Sequence, residues 1–262
     1  MKRLALLLML LAAQPVLADE AAQRVLSCMR DTLPTAVRIQ DFELHVTDPK
    51  GEVTQLSGKL YAQRETRGQQ PSFTHAMMRV SQPEHLKGAA YLVRQTDDYL
   101  RDGMYVYLPS VKRVRRVTGT FADGALLGTT FSYYDFKQLA NAFGDLDAKA
   151  EPAETIAQRP VHVLAFKSMP GAETQYSGAR AWIDQATCLP LKVEFLEKDK
   201  PRKRLTADPA ALRPYGKSWY LSESQIVDLK DNSRTVLRVV KISSSEQLPN
   251  RYFNPNTFYI GN

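Results

Sequence analysis

Short runs in which apolar and polar residues alternate dominate the chain, and they predict an antiparallel β-protein with few helices. The stretch from Phe42 to Ala62 sets the type. Phe42, Leu44 and Val46 alternate with polar neighbours, Asp48-Pro49-Lys50-Gly51 supplies a turn, and Leu56, Gly58 and Leu60 resume the alternation. A period of two on either side of a Pro/Gly turn is a β-hairpin. Further strands are predicted at SFTHAMMRV, RPVHVLAF, ARAWID, LKVEFLE, KSWYLSESQIVDL and RTVLRVVKI, and AAYLVRQTDDYLRDGMYVYLP reads as two strands about an Asp102-Gly103 turn. In LKVEF, Lys192 and Glu194 alternate with Leu191, Val193 and Phe195, giving one wet face and one dry face.

Two stretches follow helical spacing instead. Between Asp19 and Leu33, Ala22, Val25, Leu26 and Met29 recur at intervals of three and four, and Pro34 ends the run. In SYYDFKQLANAF, Phe136, Leu139, Ala140 and Phe143 fall on one side. About ten strands and two or three helices make an α+β fold. A long antiparallel sheet with one dry face must curl and cover that face, and the helices are the available cover.

The first residues carry a different pattern. Lys2 and Arg3 precede the apolar run Leu4 to Leu11, and Val16-Leu17-Ala18 ends in residues suited to cleavage. This layout predicts a secretory signal peptide over residues 1–18, and a single domain over residues 19–262 that works outside the cytoplasm. The residue after the cleavage site is Asp19, where a lipid-anchored lipoprotein needs cysteine. The formal charge of +7 falls by two with the leader and stays positive. An exported basic protein does not meet nucleic acid, and a modest positive field suits anionic membrane surfaces or acidic partners. Cys28 and Cys188 permit one long-range disulfide in an oxidising compartment, or remain two buried thiols; spacing does not decide between these.

Candidate chemistry narrows the function classes. There is no Gly-x-Ser-x-Gly elbow and no His-Glu-x-x-His helix. Gly216-Lys217-Ser218 resembles the end of a phosphate loop, but Ala211 stands at the required upstream glycine, so it reads as a turn entering a strand. His45, His75, His85 and His162 have no metal-ligand spacing. No catalytic set, no metal and no cofactor is predicted. The strongest charge run, Lys112, Arg113, Arg115 and Arg116, fits two roles: a solvated edge strand protected by cations, or a rim that meets lipid phosphate. Pro201 to Leu205 reads as a basic hairpin tip.

Several of these stretches together resemble the periplasmic outer-membrane lipoprotein-sorting proteins of the LolA-like superfamily. They are YLPSVKRVRRVTG followed by LLGTTFSYYDF, then PEHLKGAAYLV, the hairpin ARAWIDQATCLPLKVEF, and the ending LPNRYFNPNTFYI. Cys188 departs from the glycine expected at that hairpin turn, which adds a subfamily disulfide with Cys28 to the alternatives. The resemblance implies a half-open, unclosed barrel of about ten or eleven strands with helices on its concave face. It also implies a hydrophobic ligand and an inner-membrane exporter as partner.

On that basis strand parity assigns the cavity wall to Leu44, Val46, Leu60, Met78, Val80, Val93, Trp182, Val193, Phe195, Trp219 and Val239. The segment with Gly119, Gly124 and Gly128, bearing Leu126, Leu127, Phe131, Tyr134 and Phe136, is either a flap that fills the empty cavity or a loop sealing a dry core. The leading functional expectation is a non-enzymatic periplasmic carrier for the acyl chains of a lipid or lipoprotein. A lipid-sensing regulator of a membrane partner is the alternative, and a secreted hydrolase the third class.

Overall fold

The computed structural model describes residues 15–32, 36–67, 70–95, 103–144, 146–169, 171–172, 174–246 and 248–260. Helix α1 (Pro15–Asp31) leads into β1 (Val37–Thr47), β2 (Val53–Arg67), β3 (Gln70–Gln82), β4 (Ala90–Arg94), β5 (Gly103–Leu108) and β6 (Arg113–Arg116). A loop with two short 3-10 turns and helix α2 (Tyr133–Ala140) follow. The chain returns through β7 (Asp147–Ile156), β8 (Arg159–Lys167), β9 (Gly178–Asp184), β10 (Pro190–Glu197) and β11 (Lys200–Thr206). Then come β12 (Leu212–Tyr215), β13 (Ser218–Leu221), β14 (Glu223–Asp228) and β15 (Arg234–Ser245).

Thirteen strands form one antiparallel sheet in the order β6-β5-β4-β3-β2-β1-β15-β14-β11-β10-β9-β8-β7, and β12-β13 form a separate hairpin. The sheet is curved, and its end strands β6 and β7 do not pair, so the barrel is unclosed, as the resemblance implied. Two neighbouring pairs are not consecutive in sequence: β15 lies beside β1 and joins the first half of the sheet to the second, and β14 pairs with β11 past the β12-β13 hairpin. The β1–β2 hairpin turns where Pro/Gly spacing placed it. Gly51 takes a left-handed φ of 86°, and Asp48 Oδ1 accepts from the amides of Lys50 and Glu52 at 2.8 Å each.

The concave face carries the main core. Phe42, Leu44 and Val46 of β1, Met78 and Val80 of β3, and Val193 and Phe195 of β10 belong to it. α1 lies against the edge strand β7 and contributes Ala22, Val25, Leu26 and Met29, the four residues whose spacing predicted a helix. On the convex side the C-terminal segment lays Tyr252 and Phe258 over Tyr61, Met77 and Leu92.

Several expectations change in detail. α1 ends at Asp31, and Leu33, Pro34 and the Asp102 half of the Asp102-Gly103 turn lie outside the described residues. KSWYLSESQIVDL is two strands rather than one. Its break is Ser222, whose amide and hydroxyl both donate to the Ala211 carbonyl at 2.9 Å. Pro201 to Leu205 is not a hairpin tip but most of β11; the tip is Lys198-Asp199, both with positive φ. In β11, Lys203 and Leu205 turn inward and are buried. The sheet also gains β7, whose sequence DAKAEPAETI alternates only weakly, through Ala148 and Ala150, before Pro152.

Candidate functional site

The concave face and its cover enclose an apolar cavity of about 270 Å³. Its floor is the middle of the sheet: Phe42 and Leu44 of β1, Leu60 and Ala62 of β2, Ala76 and Met78 of β3, with Leu237 and Val239 of β15. Ala62 and Ala76 face each other across the β2–β3 pair, and two methyl side chains there leave the room that larger residues would fill. The roof is α2 with Phe136, Leu139 and Ala140, followed by Phe143, together with Leu126 and Phe131 of the preceding loop. The rest of the lining includes Met29, Thr32, Arg38, Gln40, Cys188, Leu189 and Pro190.

Named polar contacts hold the roof on the sheet. Ser132 and Asp135 form a capping box at the start of α2: the Asp135 amide donates to Ser132 Oγ at 2.9 Å, and the Ser132 amide donates to Asp135 Oδ2 at 2.8 Å. The same carboxylate oxygen accepts from Lys203 Nζ at 2.8 Å, and Lys203 also donates to the Thr130 carbonyl at 2.8 Å. Asp135 is 0% exposed, so the pair is desolvated. Thr130 donates its amide to Thr235 Oγ1 at 2.9 Å, which ties the loop to β15. Burial and the neighbouring Asp135 carboxylate hold the Tyr176 phenol well above its ordinary value. On the far side, Tyr91 Oη donates to the Tyr133 carbonyl at 2.8 Å.

The loop between β6 and α2 is bent tightly. Gly128 has a φ of 79°, and Leu127 takes a φ of 51° that costs a β-carbon about 1–2 kcal/mol. Gly124, by contrast, has an ordinary φ of −67°. Cys28 on α1 and Cys188 in the β9–β10 turn form a disulfide with Cα atoms 5.7 Å apart, so the first of the two cysteine alternatives is the observed one. The bridge fastens α1 beside the cavity, and Cys188 itself belongs to the lining.

The predicted wall residues divide by position. Leu44, Leu60, Met78 and Val239 line the cavity, as do Leu126, Phe131 and Phe136 of the loop and helix. Val46, Val80, Val93, Val193 and Phe195 sit on the same face but in solid core, and so do Leu127 and Tyr134 of the roof. Trp182 is a correction. It lies in a different cluster with Val161, Val163 and Leu191, donates Nε1–H to Glu154 at 2.8 Å, and packs beneath Lys192. Trp219 is a second correction, since it stands 38% exposed on the β12–β13 hairpin. Lys112 is an exposed turn residue, and Arg113, Arg115 and Arg116 are exposed on β6, the edge of the sheet.

Four polar lining residues, Thr32, Arg38, Gln40 and Thr129, escaped the sequence reading. Arg38 and Gln40 precede Phe42 and Leu44 at the same parity and share their face. Extending the alternation backwards from Phe42 would have found them. Among the described residues no cluster of His, Cys, Asp or Glu has the makings of a metal site.

A family model whose description reads "Uncharacterized protein" matches residues 73–258, well over half of the chain. The chain belongs to that family. Its fold is LolA-like, as three solved structures show. A DUF1329 family protein from Desulfovibrio piger is 21% identical, with 90% of this chain and 97% of that one covered at a TM-score of 0.79. A protein described as a putative outer membrane lipoprotein-sorting protein domain, from Vibrio parahaemolyticus, is 21% identical over 92% and 99% of the two chains, also at 0.79. A LolA superfamily protein from Nitrosomonas europaea is 17% identical over 89% and 97%, at 0.67. No curated protein matches the chain in sequence.

Proposed function

We propose that this protein is a periplasmic, non-catalytic carrier that shelters the acyl chains of a lipid or lipoprotein in the cavity and passes its load to or from an inner-membrane exporter. The observation that carries the reading is the cavity beneath the loop and α2. Its 270 Å³ exceed the ~150 Å³ hole that accepts a benzene-sized guest, and approach the ~300–1,000 Å³ of typical ligand pockets. The need for shelter is large: at ~0.8 kcal/mol per methylene, a sixteen-carbon chain in water costs on the order of 12 kcal/mol. Leu126 and Phe131 reach into the space a longer chain would claim. Displacing them offsets part of that gain, which keeps the load releasable.

Export follows from the leader at residues 1–18. Cleavage after Ala18 would shorten α1 but spare Ala22, Val25, Leu26 and Met29, which pack into the core. The exposed cations of Lys112 and β6 offer a peripheral contact with anionic lipid at the open edge of the sheet. The lipoprotein-sorting description of the Vibrio relative agrees with a carrier role.

The test is transfer of a fluorescent acyl lipid between donor and acceptor vesicles. The wild-type protein should accelerate it, and Phe131→Asp, which places a charge in the apolar roof, should abolish the acceleration while the circular dichroism stays native. Stoichiometric binding without transfer would replace the carrier with a lipid-sensing regulator, and absence of binding would reject both.

A further inference from the structure

Arg38 stands at the end of the row Arg38–Gln40–Phe42–Leu44 on the floor of the cavity, paired with Ala62 of β2 on one side and Ser244 of β15 on the other. Its side chain is only 6% exposed. Nevertheless no hydrogen bond and no ion pair reaches it from the described residues, and its Nε is enclosed without an acceptor. Among the described residues the Tyr215 hydroxyl is the one group that favours its charged form. Burial pushes the guanidinium pKa down, and no carboxylate offsets the effect. Lys203, equally buried on the same face, shows the usual arrangement: it has Asp135 and a carbonyl. A buried cation is costly unless paired, so the Arg38 end of the cavity is incomplete in the free protein.

The missing partner has a definite chemistry. A guanidinium presents its N–H groups as a planar fork that matches the two oxygens of a carboxylate or phosphate. It projects here into a space whose other walls are apolar, with the Gln40 amide next in the row and Thr32 also in the lining. We propose that the cavity takes an acid-headed amphiphile, with the carboxylate or phosphate on Arg38 and the hydrocarbon tail along Phe42, Leu44 and Met78 beneath the loop. This rests on the chain-binding reading above and adds the charge of the ligand. A lipid with an uncharged head leaves Arg38 unpaired and binds more weakly.

Isothermal titration of the full mature chain with laurate, lauryl phosphate and lauryl alcohol tests it, because the three share one tail and differ in the head. The wild-type protein should bind the two anions about tenfold or more tighter than the alcohol. Arg38→Met should erase that preference, and Arg38→Lys should keep part of it. Stronger binding of laurate would indicate a fatty acid, and stronger binding of lauryl phosphate a phospholipid head. Equal affinity of the wild-type protein for all three, or a folded Arg38→Met that keeps the preference, would overturn the inference and leave the chain-binding reading intact. If Arg38→Met does not fold, the wild-type series decides alone. Failure of all three ligands to bind would refute the chain-binding reading itself.

Discussion

Replacing Lys203 by methionine should be among the most damaging single changes on the concave face. The substitution keeps most of the volume and removes the charge. It takes the cationic donor from Asp135, which is 0% exposed and keeps the Ser132 amide, and it strips the Thr130 carbonyl of its Lys203 donor. Breaking a buried ion pair from one side costs about 3–5 kcal/mol, because the remaining charge stays desolvated. With a urea slope of ~3 kcal/mol/M, the midpoint should fall by about 1–2 M. The double variant Lys203→Met/Asp135→Asn should recover part of the loss, since the amide carries no charge to strand. Equilibrium urea unfolding followed by tryptophan fluorescence and circular dichroism gives all three midpoints. A Lys203→Met protein within about 0.3 M of wild type would show that the Asp135 carboxylate is hydrated, and that the loop is not held as described.

Asp184 links stability to acid. It accepts from Arg159 Nε at 2.7 Å and from Thr187 Oγ1 at 2.7 Å. Burial raises its pKa, but the Arg159 guanidinium and the Thr187 donors outweigh that and hold it below the ordinary value. A depressed folded value adds stability that is full above the unfolded value of about 3.9 and fades as pH falls through the folded one. Asp184→Asn should therefore be less stable than wild type at pH 7, with the gap closing below about pH 4; a gap of constant size down to pH 2 would contradict this. The Cys28–Cys188 bridge spans 160 residues of sequence. Its loss in Cys28→Ser/Cys188→Ser should cost about 2–5 kcal/mol by thermal or urea unfolding, and an unchanged midpoint would show that α1 is held by packing alone.

Legibility in the sequence tracked how strongly one face of each element is dry. The β1–β2 hairpin and α1 were plain, because Phe42, Leu44 and Val46, and then Ala22, Val25, Leu26 and Met29, each show a single period against polar neighbours. Strand β7 was hidden because most of its residues are exposed or half-buried at the sheet edge, where nothing demands alternation. Strand β11 was hidden by charge: Lys203 reads as solvated until Asp135, 68 residues away in sequence, is brought to it. In ARAWID both parities carry apolar residues, so Trp182 could be placed on either face; Ala181 and Ile183 take the concave one and Trp182 the other. Leu191 changes face at the irregular pairing between Pro190 and Lys192, which no one-dimensional pattern encodes. The cavity itself depends on what is small, and Ala62 and Ala76 announce nothing until the strands are paired.

The most direct measurement is native mass spectrometry of the protein purified without detergent, beside Ala76→Leu, whose added side chain projects into the cavity floor. The wild-type protein should carry an acyl lipid near one-to-one that organic extraction releases, and the folded variant should carry much less. Equal loading of the two proteins would place the lipid elsewhere. A wild-type protein that is empty and takes up no acyl chain when offered one would contradict the carrier account.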